Sequence, residues 1–395
     1  MVLIVLFWLF LFILFYTYLG YALIVFILLK MKRIFYPERM KNTDDSYEPE
    51  VCLFVTAYNE KDYVRQKVEN SFSLNYPKEK IQFLWVTDGS DDGTPDLLKE
   101  YKELEVHHLD ERRGKMHAMN RGIRFVKAPI IIFSDTNTIL GNRSIREIVA
   151  QFSDKNTGCV AGEKRIIDKR TDAAAGSGEG LYWKFESWVK NIDAELNSAV
   201  GAVGELFAIR TELFEEVEPD TLLDDFIISL RIAQKGYRIA YTPKAYAEET
   251  ASLNVREELK RKIRIAAGGI QTIFRLKDLL NPFRYGLLSW QYFSHKVLRW
   301  TLAPVSLFMV FILNLAIVVK QNGWFDMKFY SVFLWIQILC YLLAGIGWLV
   351  ENRKLRFKFL FVPYYFLSIN YASIHGIFRY FKGKQSVVWE KSRRA

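Results

Sequence analysis

Four stretches of this chain carry no charged side chain: residues 2–29, 300–319, 329–350 and 359–378. Crossing a bilayer as a helix takes ~20 apolar residues, so each stretch is long enough to span one. No other feature narrows the possible folds as far. Lipid offers no partner to exposed peptide groups, so such segments must be helical. The polar remainder, about 31–250, must then fold as one large water-soluble domain. A mean hydropathy of +0.02 averages these two extremes. Aromatic residues make up 15% of the 395, which excludes disordered and low-complexity classes. The first stretch starts at Met1 with no basic flank, runs well past the length of a signal-peptide core and ends without a small-x-small site. It reads as a retained anchor.

The formal net charge is +10. A basic balance can signal nucleic acid, but here the cations crowd against the apolar stretches. Lys30, Lys32 and Arg33 follow the first, and Arg353, Lys354, Arg356 and Lys358 separate the third from the fourth. Such flanks face the cytoplasm and suit anionic lipid better than nucleic acid. The expected partner is therefore the membrane, with no nucleic acid, and the soluble domain is expected on the cytoplasmic side of a bacterial plasma membrane. Three spans after that domain would put the tail outside. Yet the tail carries Arg379, Lys382, Lys384, Lys391, Arg393 and Arg394 against one Glu390. Either the last stretch does not span or the charge rule fails at this end. Cys52, Cys159 and Cys340 are odd in number and far apart, giving neither a disulfide framework nor a zinc pattern.

Within the soluble part, apolar runs alternate with helical patterns. Residues 51–56, 81–86, 104–108 and 130–134 read as strands, the first an apolar run as expected of a buried parallel strand, with helical segments up to Phe72 and over 115–126. This alternation predicts an α/β fold with a doubly wound sheet. Ligands of such sheets sit beyond the carboxyl ends of the strands, where Asn59-Glu60, Asp88 and Asp135 stand. A helix over 178–200, a strand ending at Ile209, a helix from Asp224-Asp225 to Lys235-Gly236 and a strand over 237–241 complete the domain. From 252 to 299, basic and apolar residues interleave as in an amphipathic helix at a membrane surface, broken at Pro282. The expected division is an anchor helix over 1–30, a linker over 31–49 and an α/β domain over 50–250. Interface helices over 251–299, about three spans over 300–378 and a basic tail over 379–395 follow.

Four clusters can carry chemistry. Asp88-x-Ser90-x-Asp92-Gly93 matches the first half of a calcium loop, but the twelfth position is Lys99 and the loop follows a strand. It reads as a polar turn. Asp135-Thr136-Asn137 closes a strand, and there Asp135 either caps the next segment or, with Asn137, offers oxygen ligands to Mg²⁺ or Mn²⁺. Asp224-Asp225 either favours a helix dipole or contains a general base with a raised pKa. Arg112-Arg113-Gly114-Lys115 is a solvated basic turn or a phosphate contact at a helix start. The five histidines form no metal-ligand spacing, and there is no Walker loop, nucleophile elbow or Gly-x-Gly-x-x-Gly.

The order of these clusters resembles the motif series of family 2 glycosyltransferases, membrane-embedded synthases of the cellulose, chitin and hyaluronan type. The series runs from Val55-Thr56-Ala57-Tyr58-Asn59-Glu60 through Asp88–Thr94, Gly114-Lys115, Asn120-Arg121-Gly122 and Asp135-Thr136-Asn137. It ends in Asp224-Asp225 and Arg261-x-x-Arg264. The resemblance covers about residues 50–270. It implies a GT-A fold and inverting transfer from a nucleotide-diphosphate sugar, a UDP-sugar by expectation, with Mg²⁺ or Mn²⁺. It places Asp88 on the nucleotide base, Asp135 and Asn137 on the metal, and Arg261 and Arg264 on the diphosphate. Thr56, Asn59, Glu60 and Lys115 join them around the donor, and Asp225, beside Asp224, is the implied base. Two departures stand out: Asn137 replaces a second Asp, and Ile265 replaces the Trp associated with processive synthesis. The expected function is polysaccharide growth with possible export through the helices and accessory subunits. The alternative is one sugar added to a polyprenyl- or other lipid-linked acceptor. A transporter with a cytoplasmic domain fits less well, because the four stretches hold no charged residue.

Overall fold

The structure, a computed structural model, describes residues 1–36, 46–167, 174–250, 252, 255–326, 328–350 and 358–383. Residues 37–45 of the expected linker, the basic loop after residue 350 and the tail beyond Gly383 lie outside the described residues. The apolar runs do form strands: β1 (Val51–Ala57), β2 (Ile81–Asp88), β3 (Leu104–Leu109) and β4 (Ile130–Asp135). They alternate their side chains between two apolar layers. Phe54, Leu84 and Phe133 point to one, and Leu53, Trp85 and Ile132 to the other. Burial on both faces is why β1, β2 and β4 read as continuous apolar runs, whereas β3, at the sheet edge, is only half-buried.

Four more strands complete one sheet: β5 (Ile139–Leu140), β6 (Thr157–Ile167), β7 (Leu206–Arg210) and β8 (Arg238–Thr250). The order is β3-β2-β1-β4-β7-β6-β8-β5. The first four are parallel, while β7 is antiparallel to both β4 and β6. The sequence reading anticipated the parallel half, missed β5 and β6, and stopped β8 at Tyr241. β8 continues to Thr250 because β6 stays paired with it across a register shift at Gly162/Glu163. That irregularity interrupts the two-residue alternation that marks a strand in sequence.

Among the described residues, three helices are long and apolar enough to cross a membrane: Val2–Phe35, Leu302–Lys320 and Phe329–Leu349. The fourth uncharged stretch forms the Lys358–Phe381 helix, which is not among them. It packs along the amphipathic Val255–Arg275 helix, where Gly376 meets Ala266 and the Tyr380 ring stacks on Phe274 at 5.6 Å. The first helix is tied to the soluble domain. Lys32 Nζ donates to the carbonyls of Glu195 and Leu196 at 2.8 and 2.6 Å, at the C-terminal end of the Ala174–Leu196 helix. A cation there answers both unsatisfied carbonyls and the helix dipole.

Candidate active site

Three parallel strands bring their carboxyl ends to one edge, with Thr56 in register with Val86 on one side and Asp135 on the other. The turn after β1 places Asn59 at φ 51°. Its side chain exchanges hydrogen bonds with Asp91 at 2.8 and 3.0 Å, and Asp92 accepts from the amides of Thr94 and Lys61 at 2.9 and 3.1 Å. The calcium-like turn is thus folded onto the Asn59-Glu60 loop, with Asp92 as its cap. Asp88 accepts from the amides of Arg113 at 3.1 Å and Gly114 at 2.6 Å. Its carboxylate therefore clamps the basic turn whose last residue is Lys115.

A cavity of about 430 Å³ lies beyond this edge. It gathers Glu60, Lys115, Asp135, Asn137, Asp224, Asp225, Arg261 and Arg264 from five separate parts of the chain; Thr56, Asn59 and Asp88 are not among its lining residues. Lys115 Nζ bridges Asp135 Oδ1 and Asp224 Oδ2, 3.0 Å from each. Burial opposes the lysine's charge, but the two carboxylates hold its pKa above the usual range. Burial pushes the Asp135 carboxyl up, against the pull of Lys115. Asp225 is raised to about 7, by burial and then by the charge of Asp224. Two carboxylates side by side out of water cannot both ionise freely.

Arg261 forks onto Glu258 of its own helix at 2.9 and 3.0 Å, and Ser252 donates to the same carboxylate at 2.8 Å. Arg264 lines the cavity one turn further on. Gly268 and Gly269 on this helix permit two close approaches. A methyl group at Gly268 would meet Leu223 at 2.6 Å, and one at Gly269 would meet the Trp300 indole at 2.4 Å. The Asp224-Asp225 turn and Trp300 are thereby seated on the same helix.

Sequence reasoning missed much of the far wall. Glu205 follows Ala202, Val203 and Gly204 into the cavity and pairs with buried Lys164. Lys164 also reaches Glu249 at 2.5 Å, and Glu249 accepts from Asn137 Nδ2 at 3.1 Å. Glu186 holds Lys296 and Arg299, each at 2.5 Å. Its helix position carried the only signal, since a charged residue amid Trp183, Phe185 and Trp188 requires a buried partner.

A family model described as "Glycosyltransferase like family 2" matches residues 49–268, more than half of the chain. The chain belongs to glycosyltransferase family 2. Poly-beta-1,6-N-acetyl-D-glucosamine synthase of Staphylococcus aureus (strain MSSA476) is 27% identical over 234 residues, 57% of this chain and 56% of that protein. The Staphylococcus epidermidis enzyme of the same name is 23% identical over the same span. The chain thus matches a little over half the length of these relatives. Among solved structures, mannosyltransferase PcManGT from Pyrobaculum calidifontis, in complex with GDP-Man and Mn²⁺, covers 93% of this chain and 96% of its own at TM-score 0.67 and 20% identity. That likeness establishes a GT-A-like fold and extends it over the helices on the membrane side.

The donor set of this glycosyltransferase fits a hard divalent cation. Asp135 supplies a carboxylate, and Asn137, whose amide nitrogen is engaged by Glu249, supplies an amide oxygen. Among the described residues no group of three or more His, Cys, Asp or Glu side chains could hold a metal. An ion here would complete its shell with substrate oxygens, as Mg²⁺ and Mn²⁺ do.

Proposed function

We propose that this protein moves a sugar from a nucleotide-diphosphate sugar to the hydroxyl of a lipid-anchored acceptor, with inversion, at a membrane surface. The observation that carries the acceptor class is one stripe on the Lys358–Phe381 helix. Ile369 and Ser373 line the catalytic cavity, while Val362 and Phe366, spaced by turns on the same face, line an apolar cavity of about 410 Å³ between the helices. A lipid chain in the second cavity places its head group at the first.

Asp225 takes the acceptor proton. Its pKa of about 7 is where a base is both deprotonated and strong enough at neutral pH. Lys115, Arg261 and Arg264 face the developing charge of the leaving diphosphate, in a site whose charged groups are already in place. Asp135 and Asn137 would hold Mg²⁺ or Mn²⁺, which would neutralise charge on the departing diphosphate. Asp88 acts through the clamped turn that positions Lys115, its carboxylate held by the amides of Arg113 and Gly114. A single displacement of this kind needs no protein nucleophile.

Polysaccharide growth is the second reading, supported by the similarity to the staphylococcal poly-N-acetylglucosamine synthases. The test is product size. Full-length protein in nanodiscs with Mg²⁺ or Mn²⁺ is given a panel of radiolabelled UDP- and GDP-sugars and a membrane lipid extract. One labelled sugar on an organic-soluble product supports the first reading; long water-soluble chains support the second and reject it.

A further inference from the structure

The donor machinery leaves one group of buried cations unused. Lys190, 4% exposed, lines the catalytic cavity and makes no ion pair among the described residues. Lys296 and Arg299, 8% and 7% exposed, line the same wall and share a single carboxylate, Glu186. The neighbouring acid, Asp193, is already taken by His295 at 2.6 Å and by the Tyr21 hydroxyl. Three cations therefore stand against one carboxylate in ion-pair contact, Glu186, while Asp225 and Glu205 act on Lys190 from further off. The charge of Lys190 is penalised first by burial and then by Lys296, which brings its pKa down to about 8. A charge this far out of water, and still facing a cavity, is stabilised by a counter-ion.

We infer that Lys190, Lys296 and Arg299 bind a phosphate or diphosphate carried by the acceptor, between its reacting hydroxyl and its apolar chain. The inference rests on the lipid-acceptor reading above and names the linking group. These cations come from the Ala174–Leu196 helix and residues 296–299, whereas the donor groups come from β4, the Lys115 turn and the Val255–Arg275 helix. The Lys358–Phe381 stripe joins this cavity to the apolar one. A long-chain phosphate therefore matches in both parts, anion to cations and chain to groove.

The test is equilibrium binding of tritiated farnesyl phosphate to the immobilised full chain in detergent, with saturating UDP and Mn²⁺ present. Farnesol should compete at least about tenfold more weakly, by the loss of charge-assisted hydrogen bonds. Inorganic phosphate should compete at least about a hundredfold more weakly, by the loss of the buried chain. Lys190→Met should lower affinity about tenfold and Lys190→Arg should restore it. Equal competition by farnesol, equal competition by inorganic phosphate, binding that appears only when UDP is left out, or an unchanged Lys190→Met each overturns the inference. The farnesol comparison uses the unaltered protein, so it stands even if a variant does not fold. UDP binding measured in parallel tests the transferase reading separately.

Discussion

At the scale of single residues, the site is an arrangement of charges set by burial. Asp225→Asn keeps the shape but not the base, so turnover should fall by about 10²–10⁴-fold while UDP binding persists; near-normal turnover would remove Asp225 from the mechanism. The pH dependence has a definite sign. The base acts deprotonated, and its pKa is about 7. The logarithm of kcat/KM should therefore rise with unit slope up to about pH 7 and level off above it, and a flat profile between pH 5 and 8 would contradict the assignment. Arg264→Ala should cost more turnover than Arg275→Ala. Arg275 faces Asp220 at 2.7 Å and Thr221 at 2.7 Å, a structural tie, whereas Arg264 lines the cavity. Equal losses would make the basic helix a membrane contact only.

At the scale of elements, the Val255–Arg275 helix organises the site from the membrane side. It supplies Arg261 and Arg264, seats the Asp224-Asp225 turn at Gly268, receives the Trp300 indole at Gly269 and carries the Lys358–Phe381 helix at Ala266. Gly269→Ala pushes a methyl group into an aromatic ring, and overpacking of this kind costs about 1–3 kcal/mol. The thermal midpoint in detergent should drop, and activity should drop with it, since Trp300 and Ile265 share the cavity wall. An unchanged midpoint would mean that the indole is free to move. The amphipathic pattern of this helix was legible in sequence because every third or fourth residue is apolar. Its glycine pair carried no such message, because what touches Gly268 and Gly269 comes from residues 222–223 and 300.

At the scale of the whole molecule, the catalytic cavity is walled by the GT-A-like domain, by the interface helices and by Ile369 and Ser373 of the Lys358–Phe381 helix. Chelation tests the donor side of that cavity. EDTA should abolish turnover, and added Mn²⁺ or Mg²⁺ should restore it; full activity in chelator would sink the role given to Asp135 and Asn137.

What the amino-acid order determined alone is what short-range pattern can encode. Uncharged runs announce helices for lipid, apolar runs announce strands buried on both faces, and acidic residues just past strand ends mark the edge where ligands bind. Asp135 was legible because it closes such a strand, Lys115 and Asp225 because each stands at a helix start, and Arg264 because it lies in a run of interleaved basic and apolar residues; the family resemblance suggested the roles proposed for them. Only the tertiary structure decided that Asp88 clamps a turn, that β6 and the far half of β8 extend the sheet, and that the fourth uncharged stretch lies along the interface helix. It also built the far wall, where Glu186 meets Lys296 and Arg299 across 110 and 113 residues of chain. Contacts between buried charges that distant leave no periodic mark in a sequence; they exist because folding removes those groups from water and each must then find its counter-charge.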